Sequence, residues 1–246
     1  MPSKIFDSLL NHRSIRKFKL EPVGDSLLFE LVAAGQAAAS SSFLQGVTII
    51  RVTDPEKRKA FKAITGGQPY VESAPEFLVF CADLSRPMSY CTAHGGTAVE
   101  GLTEHFIIAT VDAALYAQNV AVAAESAGLG ICYIGAIRND ASRSAELLDL
   151  PPQVYPVFGM CIGWPDQDPD VKPRLPLSVI LKENSYSIDG EAEAIAAYDE
   201  EMRNYYATRS ANIKIQGWSE QMAGLLGKES RLHMRPFLES KGFLKR

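Results

Sequence analysis

Residues 104–127 read EHFIIATVDAALYAQNVAVAAESA. Apolar side chains run most of the way round a helix of this length, and many are alanine. The segment therefore predicts a long helix buried in a core or an interface, with neighbours close against it. Asp112, Gln118 and Asn119 interrupt it, which argues against a membrane span. Upstream, Phe77-Leu78-Val79-Phe80-Cys81-Ala82 is a short apolar run, as expected for a strand covered on both faces. Residues 131–137 and 157–162 predict two more strands downstream, and the β-branched residues 47–53 a fourth.

Helices are predicted over 3–11, 25–39 and 56–64, and from Asn139 or Asp140 to 148. Beyond a proline-rich connection at 165–176, they continue over 191–206, 218–226 and 236–241. Residues 84–103 read as irregular. About four strands among about seven helices, without regular alternation, fit an α+β core better than a doubly wound sheet. Residues 1–187 form that core. Residues 188–246 read as a helical arm without strands, packing on a second subunit.

The chain has 246 residues, 46% of them hydrophobic, enough for one large core. Its 25 basic and 29 acidic residues leave a net charge of −4, which argues against a nucleic-acid partner. No basic-then-apolar leader opens the sequence. Cys81, Cys91, Cys132 and Cys161 are scattered without C-x-x-C, and three lie in or near strand-like runs. They read as buried thiols of a cytoplasmic protein that needs no membrane.

The familiar self-contained chemistries are missing. No G-x-G-x-x-G follows a strand, no P-loop or G-x-S-x-G occurs, and the histidines at 12, 94, 105 and 233 lack metal-ligand spacing. No metal is expected, and an enzymatic activity would be carried by a bound cofactor. What stands out is His12-Arg13-Ser14-Ile15-Arg16-Lys17, a cationic cluster with a hydroxyl in an acidic protein, suited to a phosphate. Lys172-Pro173-Arg174 holds a second cation pair around a rigid residue. Ser40-Ser41-Ser42 with Gln45 ends a helix in hydroxyls and an amide. Gln68 before Pro69-Tyr70 could read a heterocycle edge. Gly128-Leu129-Gly130 and Gly135 flank a strand where backbone could approach a flat ligand.

In this order and spacing, His-Arg-Ser-x-Arg, Ala-Ser-Ser-Ser, Gly-Gln-x-Tyr, Gly-Leu-Gly-x-x-Tyr-Ile-Gly and Lys-Pro-Arg-Leu-Pro resemble the FMN-dependent nitroreductase superfamily, in particular its oxygen-insensitive NADPH nitroreductase and NADPH–flavin reductase branch. The resemblance spans essentially the whole chain. It implies a nitroreductase-like fold: a mainly antiparallel central sheet packed by helices, with a C-terminal arm embracing the partner of a homodimer. It implies FMN as cofactor and NADPH as donor, with electron pairs passed by ping-pong kinetics to nitroaromatics, quinones or similar small molecules. His12, Arg13, Ser14, Lys172 and Arg174 would surround the FMN phosphate. Arg16 and Gln68 would lie at the ring's pyrimidine edge, Tyr70 would also contact the cofactor, and Tyr133, Ile134 and Gly135 would lie near the ring's reactive nitrogen. Ser40, Ser41, Ser42 and Gln45 would close the site, and no side chain is assigned as catalytic acid or base. Arg209, in Tyr205-Tyr206-Ala207-Thr208-Arg209, and Arg231 would hold NADPH, whereas Lys214 and Lys228 read as solvated. Residues 210–214 are less basic than the branch leads one to expect. The alternatives are a flavin reductase supplying reduced FMN, a flavin carrier or sensor without turnover, and a non-flavin phosphate binder sharing only the fold.

Overall fold

The computed structural model describes residues 4–209 and 214–246. The chain forms two compact units, one of residues 1–169 with 231–246 and one of residues 170–230, so position 188 lies inside the second.

The first unit is built on four strands, β1 (Val47–Arg51), β2 (Glu76–Asp83), β3 (Gly130–Ile134) and β4 (Val154–Gly163), in the order β1-β2-β4-β3 with every pair antiparallel. β2 is buried along its whole length, as its unbroken apolar run requires. Its side chains alternate between two cores. Leu78 and Phe80 join Ile131, Met160 and Ile162 on one face, while Phe77, Val79 and Cys81 join Cys132, Ile134 and Cys161 on the other. A register shift at Phe80/Cys81 leaves Val157 of β4 as an extra residue, a bulge next to Pro156, where a residue without an N–H is tolerated inside a sheet.

Helices cover both faces. They are α1 (Lys4–Leu10), α2 (Asp25–Gln36), α3 (Pro55–Ile64), α4 (Pro69–Ser73), α5 (Ser85–Ala93), α6 (Thr103–Ser126) and α7 (Ala141–Leu147). Asp54 caps α3 by accepting from the amides of Glu56 and Lys57, and Asp140 caps α7 through Arg143 N–H. By length and composition α6 could cross a membrane. Here it is a core helix: Ala109, Ala113, Ala117, Val120, Ala121 and Ala124 are buried, and a Cβ on Gly35 of α2 would fall 2.3 Å from the Tyr116 ring. Ile107, Val111 and Leu115 of the same helix are exposed.

Two local expectations need correction. Residues 84–103 contain α5, because Pro87 sits in its first turn, where no backbone donor is lost. Pro69 likewise starts the short α4. The strand expected to 137 stops at Ile134, and Gly135–Asp140 turns as a 3-10 helix.

The second unit is helical: α8 (Leu177–Ile180), α9 (Glu191–Ala207) and α10 (Trp218–Leu226), with Tyr198, Met202 and Tyr206 as its small core. The last helix, α11 (Met234–Ser240), belongs to the first unit and buries Phe237 and Leu238.

Candidate active site

The cationic loop is laid along the sheet. Ile15 N–H donates to Ile131 C=O at 2.9 Å, Lys19 N–H to Trp164 C=O at 2.9 Å, and Asp166 N–H to Lys17 C=O at 2.9 Å. Ile15 is buried, and Gly130 makes room for it, since a Cβ there would meet Ile15 Cγ1 at 2.5 Å. Beside the buried Ile15, Ser14 is half-buried and Arg16 is exposed. His12 Nδ1 lies 2.6 Å from Glu125 Oε1; a carboxylate only accepts, so Nδ1 carries the proton. Arg13 Nη2 pairs with Asp168 Oδ1 at 2.7 Å, although Asp168 is 83% exposed. A cleft of about 980 Å³ opens beside Arg13, lined also by Glu125, Gly130, Asp166 and Asp168.

Arg16 reaches Tyr70 and the neighbourhood of Cys132. Burial pushes the Tyr70 phenol and the Cys132 thiol up, and the guanidinium opposes both shifts. Gln68 is the residue before Pro69 at the start of α4, and its Oε1 is buried without a hydrogen-bond partner. The far end of α4 is held by Arg58, whose Nη2 donates to Glu72 C=O at 3.0 Å and to Ala74 C=O. Burial lowers the Arg58 pKa.

Tyr133, Ile134 and Gly135 end β3. An apolar recess of about 570 Å³ is lined by Val111, Leu115, Gln118, Tyr133, Gly135 and Phe158. Tyr133 Oη donates to Gln118 Oε1 at 3.3 Å, and burial pushes its pKa up. The Ile134 side chain is buried in the core, so only its backbone is available to a ligand. Sequence reasoning passed over Arg138. A Cβ on Gly135 would meet its Nη2 at 3.2 Å. Its pKa is lowered by burial and by nearby Arg231, which donates to Asn139 Oδ1 at 3.0 Å.

The loop after α2 is strained and anchored. Ser42, Phe43 and Gln45 have φ values of 50°, 56° and 53°. Ser40 Oγ donates to Asp112 Oδ2 at 2.7 Å, while Ser41, Ser42 and Gln45 are exposed. Asp112 was missed as a site candidate. Its one signal was an acid in the middle of a long, mainly apolar helix.

In the second unit, the Arg209 guanidinium lies 5.5 Å from the Tyr205 ring and 5.8 Å from that of Tyr206. Lys172 Nζ and Lys214 Nζ lie 5.5 and 5.9 Å from the Tyr206 ring. Lys214, read as solvated, thus joins Arg209. Arg174 and Lys228 are exposed, and residues 210–213 of the weakly basic stretch lie outside the described residues.

These features define an α+β protein. The cationic loop and the glycine-bounded end of β3 lie on one sheet, and an amide oxygen buried without a partner among the described residues stands two positions before Tyr70, which Arg16 reaches. Residues 9–164 match the model of the Nitroreductase family, and residues 172–246 that of the Nitroreductase family, C-terminal domain. The chain is 48% identical to the NADPH-flavin oxidoreductase of Vibrio harveyi, over 98% of each chain. It is 43% identical to the oxygen-insensitive NADPH nitroreductase of Salmonella typhimurium, over 99% of this chain and 100% of that one. Its structure resembles the NADPH:FMN oxidoreductase from Vibrio harveyi complexed with NAD+, with a TM-score of 0.91 and 45% identity over 99% and 100% of the two chains. The chain belongs to the nitroreductase family.

Proposed function

We propose that this chain is an FMN-dependent NADPH oxidoreductase that reduces nitroaromatics, quinones and related small acceptors as a cytoplasmic homodimer. The observation that carries this reading is Gln68 Oε1, buried without a hydrogen-bond partner among the described residues, two positions before Tyr70, which Arg16 reaches. A buried acceptor without a donor is costly, and a ring N–H of a pyrimidine would satisfy it. Bound FMN would supply the redox chemistry, taking an electron pair from NADPH and giving it to the acceptor.

The protein's own residues bind and tune. Glu125 holds His12 by Nδ1, which leaves Nε2 for the phosphate, alongside Arg13 and Ser14. Lys172 and Arg174 are assigned to the same phosphate from sequence pattern. Arg16 places a fixed positive charge where negative charge develops on the pyrimidine edge. Tyr70 would flank it, and the backbone of Tyr133, Ile134 and Gly135 would border the ring. Ser41, Ser42 and Gln45 would close the site. No side chain is assigned as acid or base. Donor and acceptor would use one recess in turn, which gives ping-pong kinetics. Arg209 would hold the NADPH phosphates, helped by Arg231. The exposed Ile107, Val111 and Leu115 on α6 support a self-association surface, and the helical second unit would pack on that partner.

The similarity to a protein named NADPH-flavin oxidoreductase favours a second reading, in which free FMN is itself the acceptor. Steady-state competition between FMN and a nitroaromatic separates the two: a much higher kcat/KM for FMN selects the second. The test of both is anaerobic mixing with NADPH. Bleaching of the bound flavin is expected, and a purified protein that stays yellow would be a carrier or sensor.

A further inference from the structure

We propose that Asp112 is a positioning residue for the cofactor site, acting through Ser40 to hold the 40–45 loop in its strained form. The inference rests on reading that loop as part of the FMN site.

Asp112 is 4% exposed on α6, and every other residue of that helix that is buried is alanine or valine. Both of its donors reach one oxygen: Ser40 O–H at 2.7 Å and Gly46 N–H at 3.0 Å share Oδ2. Oδ1 is buried with no partner. Among the described residues Asp112 has no ion-pair partner. A buried carboxylate so poorly matched is a poor stabiliser, because an apolar side chain of similar volume would avoid the desolvation cost. What it does achieve is local. It ties the entry (Ser40) and the exit (Gly46) of the loop to the same atom.

The loop needs such a tie. Ser42, Phe43 and Gln45 all sit at left-handed φ, which L-residues with a Cβ adopt at a cost and hold only when their surroundings enforce it. Ser40 Oγ accepts from Gln45 N–H at 2.7 Å, closing the turn on itself. At the exit, a Cβ on Gly46 would come within 3.3 Å of Ala109, one helical turn before Asp112, so the backbone is laid against α6. Ser40 gives its only hydroxyl proton to Asp112 and has none left for a ligand. It therefore differs in role from Ser41, Ser42 and Gln45, which the tie turns outward.

The test compares variants by FMN titration of apoprotein, the visible circular dichroism of the bound flavin, and Tm. Asp112→Ala is expected to raise the FMN Kd about tenfold or more and to change the flavin dichroism. Asp112→Asn keeps a carbonyl oxygen for both donors and should stay within about threefold of wild type. Ser40→Ala should weaken FMN binding on its own but add little in the Asp112→Ala background. Leu31→Ala, which lowers Tm from the core beneath α2, should leave FMN affinity within about twofold. Wild-type FMN affinity and dichroism in Asp112→Ala, a loss no greater than in Leu31→Ala, or full additivity with Ser40→Ala would each overturn the inference. If Asp112→Ala does not fold, Ser40→Ala decides alone: unchanged FMN binding sinks the proposal. A wild-type protein that takes up no FMN overturns the flavin reading itself. A yellow wild type with unaffected variants overturns only the role of Asp112.

Discussion

Two cationic regions of this protein are built in opposite ways. In the loop 12–17, the backbone of Ile15 is hydrogen-bonded to β3 and that of Lys17 to Asp166 just beyond β4, and His12 and Arg13 each face a carboxylate. In the second unit, Arg209 and Lys214 gather on Tyr205 and Tyr206, and among the described residues neither has a carboxylate partner. The first region is preorganised by a sheet, as a resident cofactor requires, because little ordering cost remains to be met on binding. The second offers unneutralised charge on an aromatic floor. That suits an anionic substrate that must arrive and leave within each turnover.

If the comparison holds, the largest effect belongs to the first region. Arg13→Ala should weaken FMN binding by roughly 1.5–3 kcal/mol, read as Kd in apoprotein titration. Unchanged affinity would show that the loop is not the phosphate grip. Arg209→Ala should raise KM for NADPH about tenfold while leaving the FMN Kd alone. A loss of FMN instead would merge the two regions into one function. Lys214→Ala should raise the same KM only a few-fold, since a cation held over a ring at an exposed site is worth about 0.5–1 kcal/mol. An unaffected KM would return Lys214 to the solvated surface. The smallest change has the opposite sign. Removing the carboxylate that competes for Arg13, in Asp168→Asn, should tighten FMN binding by at most about 1 kcal/mol, because the exposed pair is weak. Weaker binding in this variant would mean that Asp168 orients Arg13 rather than competing with the phosphate.

Much of the fold was legible because its signals are local. The apolar run at 77–82 and the alanine-rich 104–127 dictate a doubly covered strand and a close-packed helix, and Asp54-Pro55 announces the start of α3. Residues 84–103 read as irregular, and the place of Pro87 in the first turn of α5 emerges only from the structure. The candidate site was legible as a set of motifs but not as a set of roles. Nothing in Gly-Gln-x-Tyr says that Gln68 Oε1 is orphaned, and nothing in Tyr-Ile-Gly says that Ile134 spends its side chain on the core. Lys214 reads as one more surface lysine until its distance to Tyr206 is known.

By itself, the sequence determined the α+β class, the buried elements and the residue types available to a phosphate and a flat ring, since periodicity, turn residues and charge clusters act over a few neighbours. Tertiary structure alone decided which of those residues act together. Asp112 and Ser40 are 72 positions apart and meet at 2.7 Å, and His12 and Glu125 are 113 apart and meet at 2.6 Å. Hydrogen bonds of this kind depend on how α6 packs against the loops that follow α1 and α2, and that packing is set by the core rather than by any stretch of neighbouring residues.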